Sequence, residues 1–199
     1  MTDIKQELHR SLAQSRAALL SRLQGLSEYD LRRPVTPTGT NLLGLVKHLA
    51  GLEYGYLGET FGRPAPEVLV WYEDGSVWQN ADMWATPAES SDYIRGLYDR
   101  ACAHADATIA ALDLDAPGSV SHWPERERDT TLGVIIIRMV AETAQHAGHA
   151  DIVRELVDGQ PGPDHDDVFD GAAWRAYIAQ VQAAADAFLA IRPLAADGS

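Results

Sequence analysis

The chain has 199 residues, a length that suits one domain with a well-filled core. Apolar residues make up 46% of it and charged residues 23%, which is ordinary globular usage and argues against disorder or a low-complexity architecture. The 16 Lys and Arg against 29 Asp and Glu give a formal net charge of −13, which repels phosphate backbones and excludes nucleic acid as an expected partner.

Apolar residues recur at steps of three and four along most of the chain, the spacing of helices that bury one face. The first predicted helix runs from 3 to 26, and the second from 41 to about 60, with Thr40 or Asn41 as its N-cap. Between 61 and 86 the periodicity disappears, and tryptophans and tyrosines stand among Gly, Asp and Asn. We expect this segment to be a long ordered loop packed by its own aromatic residues.

Three further helices are predicted downstream, over about 87–112, 130–158 and 171–191. No segment shows the alternation of a strand, and no internal repeat is visible. The sequence therefore predicts an all-α fold, an up-down four-helix bundle whose core spans about 3–160, with an additional C-terminal helix. We expect the whole chain to form a single domain.

Cysteine usage and the apolar runs indicate the compartment. Cys102 is the single cysteine, so no intrachain disulfide can form, and we expect it to be a buried, inert thiol. The polar N-terminus lacks the apolar region of a signal peptide, and the apolar run 132–137 is far shorter than the ~20 residues of a membrane span. We therefore expect a cytoplasmic protein with no membrane partner.

The fourth predicted helix carries polar residues on its inward side. At steps of four and three this side is apolar at both ends, but Glu142, His146 and His149 occupy its middle. Burying a carboxylate and imidazoles is costly unless each is paired, and a metal ion would satisfy all of them at once. The alternative is a hydrogen-bond network of the same three side chains without a metal.

The second predicted helix offers one more ligand. His48 lies on or beside its apolar side, three residues after Leu45 and four before Leu52. Together with Glu142 and His146 it would form a His₂Glu set that leaves one coordination position open, the pattern of catalytic zinc sites. Taken alone, a histidine at such a position is more commonly a core-edge residue bonded to a carbonyl group.

Two further features could serve a substrate. Arg138 and Arg154 flank the polar stretch of the fourth helix, and either could pair with a substrate carboxylate or with a neighbouring acidic residue. The aromatic residues of 61–86 could form the wall of a pocket at the mouth of the bundle, although filling a small core under the loop is the more frequent role.

Two stretches of the chain resemble the DinB/YfiT-like superfamily of predicted metalloenzymes, and more narrowly its DUF664 branch, which is related to mycothiol-dependent maleylpyruvate isomerase. They are Asn41–Glu53 and Ala141–Asp151. The resemblance extends over roughly the first 160 residues, including the spacing of the helices. It implies a four-helix bundle with a metal ion at one end.

The resemblance also implies a ligand set. In that family one histidine comes from the second helix and two ligands, usually a His-x-x-x-His pair, come from the late helix. His48 matches the first and His146 the last, while Glu142 stands where the family often has His and the isomerase branch can have Glu. His149 falls where many members have Gln, so it would be a fourth ligand, a partner of the ligands, or a replacement for Glu142.

Relatives are described as activating low-molecular-weight thiols, such as mycothiol or bacillithiol. This implies a metal-dependent thiol S-transferase or isomerase that acts on a small molecule, with zinc or nickel as the ion and a thiol as cosubstrate. Two alternatives stay open: metal-assisted hydrolysis with Glu142 or Glu53 as base, and a non-catalytic helical module with a structural polar cluster. A homodimer is compatible with each, because helical bundles often pair through leftover apolar stripes.

Overall fold

The structure, a computed structural model, describes residues 3–160 and 171–188. Its helices are α1 (Ile4–Ser21), α2 (Glu28–Arg32), α3 (Leu42–Leu57), α4 (Val70–Glu73), α5 (Ser91–Ala111), α6 (Leu132–Asp158) and α7 (Gly171–Asp186). Two short strands, β1 (Pro117–Ser119) and β2 (Asp129–Thr131), pair antiparallel just before α6. The predicted all-α class is confirmed. Within the described ranges, no helix is both long and apolar enough to cross a membrane.

The predicted helices are present with shifted ends, because capping residues decide where each one begins. α5 begins at Ser91 rather than near 87, since the Ser90 side chain accepts a hydrogen bond from the Tyr93 amide and caps the helix there. α1 ends at Ser21 rather than 26, and a turn leads from it to Gly25, whose φ of 75° lies in the left-handed region.

The four long helices of residues 3–160 pack as a bundle in which α1 contacts α6 and α3 contacts both α5 and α6. Lys47, early in α3, forms a salt bridge of 3.0 Å with Glu89, just before α5. Tyr54, late in α3, packs against His104, late in α5, with 5.4 Å between ring centroids. α3 and α5 therefore run in the same direction, so strict up-down alternation does not hold for this pair. The chain crosses back along the bundle between 58 and 90.

The apolar core fills the space between these helices in two adjoining clusters. One includes Leu45 and Tyr98, and the other includes Leu57 and Met139. Leu52 packs against both clusters, which joins them into one interior.

Internal contacts divide the chain into two units, 1–160 and 161–199. The first contains the bundle and the two strands, and α7 belongs to the second. The single domain that we expected over the whole chain stays a prediction. The predicted end of the last helix, at 191, lies outside the described residues.

A buried ion pair connects α1 to α3. Arg16 is 6% exposed and Glu53 is fully buried, and two hydrogen bonds of 2.7 Å join the guanidinium to the carboxylate. Arg16 also donates to Asp106 of α5 at 2.7 Å, so one guanidinium holds three helices together. Because both charges of the pair lie in a low-dielectric interior, each depends on the other for compensation.

We expect Arg16→Met to lower the free energy of unfolding by about 3–5 kcal/mol, because it leaves the Glu53 carboxylate buried without its counterion. Urea denaturation followed by circular dichroism measures this. The matched control is Arg10→Met on the exposed side of α1, which should cost less than about 1 kcal/mol. Equal stabilities for the two variants would contradict the structural role of the pair.

Candidate metal centre

Three of the predicted ligands meet between α3 and α6. His48, Glu142 and His146 each offer one ligand atom, and these atoms all lie within 4.8 Å of one another. The His48 and His146 rings meet edge to face with their centroids 5.1 Å apart, and His146 Nε2 lies 3.6 Å from Glu142 Oε1. Two imidazoles and a carboxylate converging on one point form a donor set that suits a divalent ion.

The helices fix this arrangement. Glu142 and His146 are one turn apart on α6, so their side chains rise from the same face. α3 runs antiparallel to α6, which brings His48 opposite His146 and Tyr56 opposite Arg138 at the same spacing along both helices. The ligands are half-buried, but both helices place core residues beside them, so the separation of the three ligands is set by packing.

Asp82 is a member of the site that the sequence did not identify. Its side chain is 7% exposed, and its Oδ2 lies 2.6 Å from Nδ1 of His48. A carboxylate bonded to one ring nitrogen orients a histidine and leaves the other nitrogen free for a metal, an arrangement common around metal-binding histidines. Asp82 lies among other polar residues in the segment 61–86, which has no helical periodicity, so its spacing did not indicate this role.

The close approach of the loop to α3 places Asp82. Asn41, the N-cap of α3, accepts from the Gly44 amide at 2.8 Å and donates to the Met83 carbonyl at 3.1 Å. A Cβ on Gly44 would lie 1.8 Å from that same carbonyl oxygen, so only glycine permits this contact. One cap therefore both starts the helix that carries His48 and anchors the segment that carries Asp82.

The surroundings of His146 favour its neutral form, which is the form that binds metals. Burial lowers the pKa of His146 below its ordinary value, and the nearby His48 lowers it further, whereas Glu142 opposes the shift. Its side chain is 12% exposed. A neutral imidazole has a lone pair available for a cation, so the protonation state fits the donor set.

The other residues considered from sequence lie outside this group. His149 is exposed, and its ring contacts His146 with centroids 5.4 Å apart without joining the converging ligand atoms. Glu53, an alternative base for hydrolysis, is bonded to Arg16 away from the site, which overturns that role. Cys102 is half-buried instead of fully buried, and burial raises the pKa of its thiol, which favours the protonated and less nucleophilic form.

A cavity of about 600 Å³ opens beside His48. Its walls come from α3, the crossover loop and the segment before β2, and they are formed by His48, Leu52, Glu59, Tyr72, Val77, Trp78, Asn80, Asp82, Met83, Ser121 and His122. The aromatic residues of the loop divide between the two expected roles: Trp71 is buried in the core, whereas Tyr72 and Trp78 line the cavity. A volume of this size accommodates a small molecule.

Known proteins resemble this chain at two levels. The fold is similar to the crystal structure of a conserved protein from Enterococcus faecalis, with a TM-score of 0.61 and 12% sequence identity over 80% of this chain and 100% of that one. At that identity the likeness shows the fold alone. The search of curated proteins gave no match.

The family comparison is more specific. The family model described as mycothiol S-transferase matches residues 7–159, which include most of α1, all of α3, α5 and α6, and the candidate metal centre. The match confirms the DinB-like resemblance that the two sequence stretches indicated. The chain therefore belongs to the mycothiol S-transferase family.

Proposed function

We propose that the protein is a divalent-metal-dependent enzyme that transfers a mycothiol-like thiol to a small electrophilic molecule. The observation that carries this proposal is the convergence of His48, Glu142 and His146 within 4.8 Å, in a chain of the mycothiol S-transferase family. We assign these three residues as metal ligands, with zinc or nickel as the ion, because two imidazoles and one carboxylate suit either metal. His149 is the remaining candidate for a ligand and lies next to His146.

The residues of the chain orient the metal ligands and line the cavity beside them. A divalent ion in this donor set would favour the thiolate form of a bound thiol at neutral pH. Asp82 holds the His48 ring in one orientation, and its own burial keeps water away from that hydrogen bond. Leu52 and Tyr72 line the cavity beside His48, so apolar and aromatic surface faces a small molecule bound there.

The reaction joins the sulfur of the thiol to a carbon of the second substrate. The thiol gives up its proton, a sulfur–carbon bond forms, and either a leaving group departs from that carbon or the neighbouring carbon accepts a proton. His48 is the ligand that lines the cavity, and its volume of about 600 Å³ admits a small electrophile beside the metal centre. Holding the two reactants together converts a bimolecular step into an effectively unimolecular one.

Metal content tests the ligand assignment. We expect the purified protein to carry about one divalent ion per chain, and His48→Ala, Glu142→Ala and His146→Ala each to lose it, because each removes one of three converging donors. Inductively coupled plasma mass spectrometry measures the stoichiometry. His149→Ala is the control and should retain the ion. Retention in Glu142→Ala with loss in His149→Ala would make His149 the third ligand.

A separate prediction concerns the residue that orients His48. Asp82→Asn should weaken zinc binding by about 10–100-fold, because an amide orients the imidazole less strongly than a carboxylate and does not raise its basicity. Competition with a chromophoric chelator measures the affinity. Asp99→Asn, on the exposed side of α5, is the matched control and should leave it unchanged. An unaltered affinity in Asp82→Asn would show that the hydrogen bond does not support the metal.

Thiol dependence tests the reaction class. With mycothiol and monobromobimane, we expect conjugation above the uncatalysed rate, abolished by chelation and restored by zinc, because the thiol needs the ion to ionise at neutral pH. Fluorescence of the bimane product gives the rate. Full activity in the metal-free protein would refute metal dependence. Cleavage of an activated ester without thiol, together with no conjugation, would instead favour the hydrolase alternative.

A further inference from the structure

The two arginines that flank the ligand stretch of α6 have different surroundings. Arg154 is fully engaged: its Nη2 forms a salt bridge of 2.7 Å with Asp158, and its Nη1 donates to the carbonyl oxygens of Arg22 and Gln24 at 2.8 Å each. Arg138 forms neither a salt bridge nor a hydrogen bond with any residue that the structure describes; its contacts there are with aromatic rings. A guanidinium without an acidic partner is unexpected in a chain with a net charge of −13.

Aromatic rings hold the Arg138 guanidinium in place. Its central carbon lies 5.2 Å from the ring centroid of Tyr56 and 4.8 Å from that of Trp123. Trp123 Nε1 donates to the Tyr56 hydroxyl at 3.3 Å, so the two rings support each other. Stacking uses the faces of a guanidinium and leaves its N–H groups, which lie in its plane, free to donate. The side chain is therefore held in place, and none of the residues that the structure describes accepts a hydrogen bond from it.

This guanidinium lies beside the candidate metal centre. Arg138 precedes Glu142 by one turn on the same face of α6, a rise of about 6 Å along the helix axis. On the cavity side, the His122 ring packs against Tyr56 with centroids 5.7 Å apart, and His122 lines the same cavity as His48. Tyr56 therefore lies between the exposed Arg138 side chain and His122, and this places the guanidinium at the rim of the region that a small molecule beside His48 would occupy.

We propose that Arg138 binds a carboxylate of the electrophilic substrate and makes the enzyme selective for electrophiles that carry one. A guanidinium and a carboxylate match in plane and can form two parallel hydrogen bonds. A single guanidinium suits a singly charged carboxylate, and in a chain with a net charge of −13 a local cation offsets the repulsion that an anionic substrate meets. Mycothiol has no free carboxylate, so the bound group belongs to the second substrate. This inference rests on the proposed function.

Two electrophiles that differ in one carboxylate test the proposal. Monoethyl fumarate and diethyl fumarate share an activated double bond: the thiol sulfur bonds to one alkene carbon, and the other takes up the proton. With mycothiol and the zinc-loaded protein, Arg138→Met should lower kcat/KM for monoethyl fumarate by about 10–100-fold, mainly through KM, because a charge-assisted hydrogen bond is lost. The rate with diethyl fumarate should change by less than about twofold.

Control variants separate an anion site from a structural effect. Arg138→Lys keeps the charge but not the paired donors, so it should give an intermediate loss for monoethyl fumarate. Arg126→Met removes an exposed arginine that pairs with its neighbour Glu127, and it should change neither rate. An equal loss with both fumarates, or loss of zinc from Arg138→Met, would overturn the proposal, since Arg138 would then act through the fold or through Glu142.

A measurement of carboxylate binding tests the role of Arg138 independently of the transferase activity. Monoethyl succinate has the same carboxylate but no double bond, so it binds without reacting. Isothermal titration calorimetry on the zinc-loaded and the metal-free protein should show binding that Arg138→Met weakens at least about tenfold, while Arg126→Met leaves it unchanged. Binding of this kind without thiol transfer would refute the proposed function alone. Binding that is absent or insensitive to Arg138→Met would overturn the carboxylate site.

Discussion

The hydrogen bond between His48 and Asp82 connects the helical bundle to the loop that crosses it. At 2.6 Å, with both side chains largely buried, it joins a residue fixed by helix packing to one that lies in a single 3₁₀ turn of the crossover loop. Breaking it would leave a carboxylate without a partner in a low-dielectric site, which is costly. The loop wall of the cavity and the orientation of the ligand therefore depend on the same contact.

The position of α3 is set from two sides. On one side Glu53 is held by Arg16 of α1, and on the other His48 faces His146 of α6. Because these two α3 residues are five positions apart on a rigid helix, a shift of the ion pair along α1 would also move the ligand. The buried charges thus fix the position of α3 along the bundle axis. Apolar packing alone would specify this position less strictly.

Periodicity predicted the parts of the molecule that helices determine. The polar interruption in the apolar side of α6 identified Glu142 and His146, and the seam of α3 identified His48, since both signals depend on spacing within one helix. Asp82 could not be found this way, because its role depends on a backbone contact across the chain at Gly44. Nor could the direction of α5, since the hydrophobic pattern of a helix is the same whichever way the helix runs.

The shared direction of α3 and α5 makes a long connection between them unavoidable, because the chain must return along the bundle before α5 can begin. That obligatory segment carries Tyr72, Trp78 and Asp82, so the topology places a loop wall next to the helical frame that holds the ligands. Proteins with the same four helices can then differ in what they accept through insertions and replacements in this one crossover, provided that the contact at Gly44 is kept. Libraries built for new substrates would concentrate their diversity there and leave the bundle untouched.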